Sequence, residues 1–136
     1  MSAVRSGSCL CGALKYEITA PIEGVWMCHC SNCRKASGGT GNAILIIPRE
    51  DFRWISGQDN IVTFELRPTY SISRCKTCGT PLPAEEDETN IYLTAGTLDD
   101  PLDAGIKRHI FWDSRPDWDH DMETVQHFGE RSTGES

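Results

Sequence analysis

The sequence is short of positive charge, of long apolar runs and of helix-forming segments, and each shortage removes a class of function. Thirteen Lys and Arg stand against twenty Asp and Glu, a formal charge of −7 at pH 7. A surface of that sign repels phosphate backbones, so general nucleic-acid binding is not expected. The longest purely aliphatic run is "AILII", Ala43 to Ile47, far below the roughly 20 residues of a bilayer-spanning helix. No membrane partner is expected. The start, "MSAVRSGS", lacks the apolar segment of a secretory leader, and a soluble cytoplasmic protein is predicted. "SGGTG", Ser37 to Gly41, lacks the Lys-Ser/Thr of a phosphate-binding loop and the spacing of a dinucleotide fingerprint. Asp117, Asp119 and Asp121 match positions one, three and five of a calcium loop. Position six is Met122 rather than Gly and position twelve is Phe128 rather than Glu, which excludes that site.

What is present is a set of short strand-like segments. "LKYEI" from Leu14 alternates apolar and polar, as a half-buried strand does. "AILII" ends at Pro48, and its continuous apolar character predicts a strand buried on both faces. "FRWI", "IVTFEL", "YSISR", "IYLTA" and "KRHIF" read the same way, separated by turn segments such as "SGQDN" and "LDDPLDAG". The one early helix candidate is "SNCRKAS", Ser31 to Ser37. At 136 residues the chain can bury roughly two-thirds of its surface in one core. A single mostly β domain is predicted over residues 1–128, its cysteines carried on the loops, followed by a polar tail over 129–136.

Seven cysteines are many for a reducing compartment, and an odd number leaves one out of any disulfide framework. They fall in three groups: Cys9 and Cys11; Cys28, Cys30 and Cys33; Cys75 and Cys78. Short spacings of this kind point to metal ligands, and the chemistry of thiolates points to Zn2+. Cys-x-Cys on an extended segment places both sulfurs on one face. "CKTCG" reads as a zinc knuckle, with Gly79 free to take φ > 0. Two divisions are open. The two C-x2-C pairs could share one four-cysteine site, leaving Cys9, Cys11 and Cys28. Alternatively Cys9, Cys11, Cys75 and Cys78 close one site, and Cys28, Cys30 and Cys33 form a second with a vacant position. The spacing does not choose between them.

The ordered segments "GSCLCGALKYEI", "CHCSNCRKASG", "RCKTCGTPL", "AGTLDDP" and "HIFW" resemble the glutathione-dependent formaldehyde-activating enzyme family, which includes centromere protein V relatives. The resemblance runs from about Gly7 to Phe128. It implies a β-tent of small antiparallel sheets. It also implies a structural zinc on Cys9, Cys11, Cys75 and Cys78 and a catalytic zinc on Cys28, Cys30 and Cys33. The chain departs from the family pattern at Arg74, where an aromatic residue is common, and in the tail, where Asp117 separates Pro116 from Trp118 and Gln126 replaces a proline.

An open three-thiolate zinc carries net negative charge and is a poor Lewis acid. It is better suited to receiving a fourth sulfur than to activating water. The resemblance accordingly implies a carbon–sulfur lyase-type activity joining glutathione, or a similar thiol, to formaldehyde or a related aldehyde. Glutathione carries two carboxylates, and Arg34, directly after Cys33, is the candidate cation for them. The competing reading is a non-catalytic double-zinc interaction module, with water or a side chain such as His29 or His109 completing the second site. A dithiol oxidoreductase, suggested by "CSNC" and "CKTC", is disfavoured because the βαβ context is missing. His109 is expected to pack in the core, and Trp26, Trp54, Trp112 and Trp118 in the core or at its rim. His120 and His127 are assigned no role.

Overall fold

Short apolar segments bounded by turns cannot each close a core alone, and this chain assembles them into small sheets that share one. The computed structural model describes residues 3–68, 70–85 and 87–131. Among these, nine strands and one α-helix follow in the order β1 (Arg5–Ser8), β2 (Lys15–Ile18), β3 (Val25–Cys28), α1 (Ser31–Ser37), β4 (Asn42–Pro48), β5 (Phe52–Ser56), β6 (Ile61–Arg67), β7 (Tyr70–Cys75), β8 (Asn90–Thr94) and β9 (Ile106–Ile110). They form a three-stranded sheet β1-β2-β5, a four-stranded sheet β8-β4-β3-β9 and a ribbon β6-β7. No described helix is long and apolar enough to cross a membrane.

The core lies between the two larger sheets. Tyr16 and Ile18 of β2 meet Leu45 and Ile47 of β4 and Ile91 and Leu93 of β8. Tyr16 is 1% exposed, and its hydroxyl shares a 2.6 Å hydrogen bond with the Thr97 hydroxyl, which satisfies the polar end of the ring. Burial pushes this phenol up to about 12, against the lowering effect of the Thr97 hydrogen bond and with a smaller push from the nearby Asp99. β1 exists because of that ring. A Cβ built on Gly7 would stand 2.1 Å from the Tyr16 ring, so only glycine lets the strand lie against it.

Three expectations need correction. Ile46 of the "AILII" strand is 42% exposed, while Leu45 and Ile47 are buried. The strand is apolar on both faces because its second face lines a chamber rather than a second core. The sheets are not wholly antiparallel, because β3 and β9 pair in parallel, with Trp26 opposite Arg108 and Cys28 opposite Ile110. The chain travels through α1 and five strands between them, so no hairpin dictates opposite directions. Finally, His109 is exposed rather than packed in the core.

Candidate metal centres and the adjoining chamber

Cys9 to Gly12 and Cys75 to Gly79 fold as two tight turns. Gly12 donates its N–H to the Cys9 carbonyl at 3.0 Å, and Gly79 to the Cys75 carbonyl at 2.9 Å. Both glycines have φ near +80°, at 83° and 77°, which a side chain would oppose. The Cys9–Cys11 segment is therefore a turn and not the extended segment the sequence suggested, yet its sulfurs still converge, 3.6 Å apart. Cys11 Sγ lies 3.8 Å from Cys75 Sγ. All four sulfurs of Cys9, Cys11, Cys75 and Cys78 fall within 4.8 Å of one another.

The surroundings favour anionic sulfur here. Leu14 N–H donates to Cys9 Sγ and the Asn60 amide to Cys75 Sγ, each at 3.3 Å. The Thr80 hydroxyl, 3.1 Å from Cys78 Sγ, and then the Thr80 N–H pull the Cys78 thiol down to about 5. The Cys78 N–H leads the contacts that lower Cys75. At Cys11 the Ala13 N–H works downward, but desolvation and the three neighbouring sulfurs outweigh it and bring the thiol to about 11.

The second set comes from one short stretch. Cys28 ends β3, Cys30 caps the N-terminus of α1, and Cys33 sits in that helix, buried. The Cys30 sulfur accepts the Cys33 N–H at 3.3 Å, in the place an N-cap oxygen usually takes. Gly38, at φ 75°, ends the helix. Gly41 brings the returning chain against β3, where an added Cβ would lie 2.4 Å from the Cys28 carbonyl. These glycines shape turns. The sulfurs of Cys28, Cys30 and Cys33 lie within 4.8 Å of one another. Burial raises Cys28, and burial followed by the Cys28 and Cys30 thiols pushes Cys33 up to about 12. At Cys30 burial opposes ionisation, but the N–H groups of Cys33 and Asn32 and the adjacent thiols make the net shift downward. In both sets the soft donors and the close spacing of the sulfurs fit zinc.

The imidazoles named as possible fourth ligands are engaged with each other. His29 is 1% exposed. Its Nδ1 lies 2.9 Å from the Thr40 carbonyl and must donate, because a carbonyl only accepts. Its Nε2 is therefore the acceptor for His109 Nδ1–H, also at 2.9 Å. Trp112 packs against both rings, and the Thr40 hydroxyl donates to Asp119. This chain of contacts fastens the end of α1 and the tail to β9.

The three-cysteine set opens on a chamber of about 430 Å3, within the range of small-molecule sites, about 300–1,000 Å3. Its floor is the outer face of the four-stranded sheet: Trp26 from β3, Ile44 and Ile46 from β4, Tyr92 from β8. The ribbon contributes Tyr70 and Ile72. The Tyr70 hydroxyl donates to Cys33 Sγ at 3.8 Å. Burial, and then the Cys33 sulfur, hold its phenol well above the usual range.

Arg34 is not among the residues that line the chamber, and its Nε is buried without a hydrogen-bond partner. Sequence reasoning missed Tyr70, Tyr92 and the position of Trp26. The signal for Trp26 was available, since residues two apart on a strand share a face and Trp26 precedes Cys28 by two. Arg74, noted as a departure, donates to the carbonyls of Gly79 and Ala36 and so joins the knuckle to α1.

Comparison with known proteins places this arrangement. The family model described as glutathione-dependent formaldehyde-activating enzyme matches residues 4–114. A Halomonas elongata protein bearing the name "Putative glutathione-dependent formaldehyde-activating enzyme" is 26% identical over 122 residues, which span 82% of this chain and 77% of that protein. A crystal structure of a Rhodobacter sphaeroides protein superposes with a TM-score of 0.59 at 20% identity, covering 74% of this chain and 98% of that one. At that identity the likeness speaks for the fold.

Proposed function

We propose, for a chain that belongs to the glutathione-dependent formaldehyde-activating enzyme family, a zinc-dependent carbon–sulfur lyase-type reaction. Its substrates are glutathione or a similar thiol and formaldehyde or a related aldehyde. Cys9, Cys11, Cys75 and Cys78 hold a structural zinc. Cys28, Cys30 and Cys33 would hold a second, catalytic zinc that could take up a thiol. The observation that carries this reading is that the three-sulfur set lines the chamber, whereas none of Cys9, Cys11, Cys75 and Cys78 is among its lining residues. The odd number of cysteines is then accounted for by four plus three ligands.

A zinc at the open set would keep a bound thiol as thiolate, the nucleophilic form. The chain supplies the remainder. The sulfur lone pair forms a bond to the carbonyl carbon, and the C=O π pair moves to oxygen. That oxygen takes up one proton, which balances the proton lost by the thiol, and the product is the S-hydroxymethyl adduct. The reverse course breaks the same carbon–sulfur bond. The Tyr70 hydroxyl, fixed as a donor by its raised phenol, holds Cys33 in place. The chamber walls keep both reactants together, replacing an encounter in solution by a positioned one.

Exchange between free formaldehyde hydrate, thiol and adduct can be followed by NMR. The wild-type protein is expected to accelerate exchange, and Cys33→Ala to return it to the uncatalysed rate while the protein stays folded. Acceleration that survives Cys33→Ala, or no acceleration with any thiol, would favour the non-catalytic zinc module.

A further inference from the structure

The chamber has a property that the thiol reading does not use. Among the described residues, no charged side chain lines it. Trp26, Ile44, Ile46, Ile72, Leu82 and Tyr92 give its wall apolar surface, and its side-chain polar groups are thiols, hydroxyls, the Trp26 indole N–H and the Asn42 amide. None of the neighbouring cations is among its lining residues. Arg74 is held by the carbonyls of Gly79 and Ala36. The Arg108 guanidinium lies over the Trp26 ring, 5.1 Å from its centroid, and is not part of the lining. Arg34 also stands outside it.

Glutathione ends in two carboxylates and an ammonium. Seating those ends against this wall would remove their water and return no opposite charge. An aryl or branched-alkyl group on the same sulfur would instead leave water for apolar contact, with the Trp26 and Tyr92 rings available for aromatic packing. We propose that the chamber selects a thiol with an uncharged apolar body over a thiol whose ends are charged, with Ile46 at the rim setting the preference. The inference rests on the thiol reading above and names the class of thiol for the same site.

The protein substituted with cobalt(II) gives a binding readout independent of turnover, because sulfur-to-metal absorption bands shift when a thiol joins the coordination sphere. Phenylmethanethiol, 2-mercaptoethanol, glutathione and glutathione diethyl ester are titrated separately. Phenylmethanethiol is expected to bind roughly tenfold or more tighter than glutathione. The diester, which has the same thiol without the carboxylate charges, is expected between them. Ile46 is 42% exposed, so Ile46→Lys can be accommodated, as circular dichroism would verify. It is expected to tighten glutathione and weaken phenylmethanethiol. Glutathione binding as tightly as phenylmethanethiol, with 2-mercaptoethanol also bound, would overturn the selectivity and leave the thiol reading standing. A wild-type preference unchanged by Ile46→Lys would overturn the role given to Ile46. No spectral response to any thiol would overturn both readings.

Discussion

The two cysteine sets use one kind of side chain under opposite constraints. Cys9, Cys11, Cys75 and Cys78 join turns far apart in the chain, and the buried Leu14 and Leu82 pack with Cys9 and Cys75. Cys28, Cys30 and Cys33 span six positions whose backbone is already fixed by β3, α1 and the close approach of Gly41. A metal at the first set closes a long loop and so bears on folding. A metal at the second closes almost nothing, and its binding energy remains available for a ligand. The surroundings agree with this division. Hydrogen-bond donors surround the first set, while the second faces an apolar chamber and two of its thiols are raised by burial. Arg74 links the two neighbourhoods, through the carbonyls of Gly79 and Ala36.

The largest expected effect contrasts one substitution in each set. Cys75→Ala should remove a zinc and unfold the domain, because structural zinc contributes on the order of 10 kcal/mol. Cys33→Ala should remove a zinc and leave a cooperative thermal transition. Circular dichroism melts with elemental analysis would check this. Equal loss of folding from the two changes would mean that both sites are structural.

Acid should separate the sets next. A thiol with a raised pKa holds its proton to higher pH, where the proton competes better with the metal, so the set of Cys28 and Cys33 should release zinc early as pH falls, with the lowered Cys30 as the opposing member. Cys75 and Cys78 are lowered, so the four-sulfur set should keep its zinc to lower pH, with Cys11 as the opposing member. Zinc release followed with a chromophoric chelator should therefore show two steps, the first accompanied by no loss of structure. A single step coincident with unfolding would break the comparison.

The smallest effect concerns the histidines. His109→Ala removes the partner of His29 Nε2 and should cost about 1–3 kcal/mol, the penalty for a buried group left unpaired. It should leave zinc content unchanged. Loss of the second zinc would make His109 a ligand and the site closed.

Much of this was legible before the fold was known. α1 could be read because Gly38 stops it and the cysteine spacing marks its start, and the strand segments from "LKYEI" to "IYLTA" carry their own alternation or turn boundaries. β1 could not, because "RSGS" has no apolar residue and is defined by the Tyr16 ring that rests on Gly7. β3 is four residues long and half of it serves the chamber. The division of the cysteines was undecidable from spacing, since the two C-x2-C pairs could share a site as readily as either could join the Cys-x-Cys pair, and only tertiary contact brings Cys11 beside Cys75. His29 and His109 lie 80 residues apart and meet only because β3 and β9 run in parallel. Arg34 was singled out by adjacency to Cys33, whereas side chains one apart on a helix do not share a face.

The central claim is that one set is closed and the other has a position for a thiol. Zinc K-edge X-ray absorption on the protein at two zinc ions per chain tests it directly. Without thiol, the mean number of sulfur neighbours should lie between three and four, with a light oxygen or nitrogen scatterer making up the difference. On addition of phenylmethanethiol it should rise to four and the light scatterer should disappear. A mean sulfur count that stays fixed on thiol addition would contradict the account.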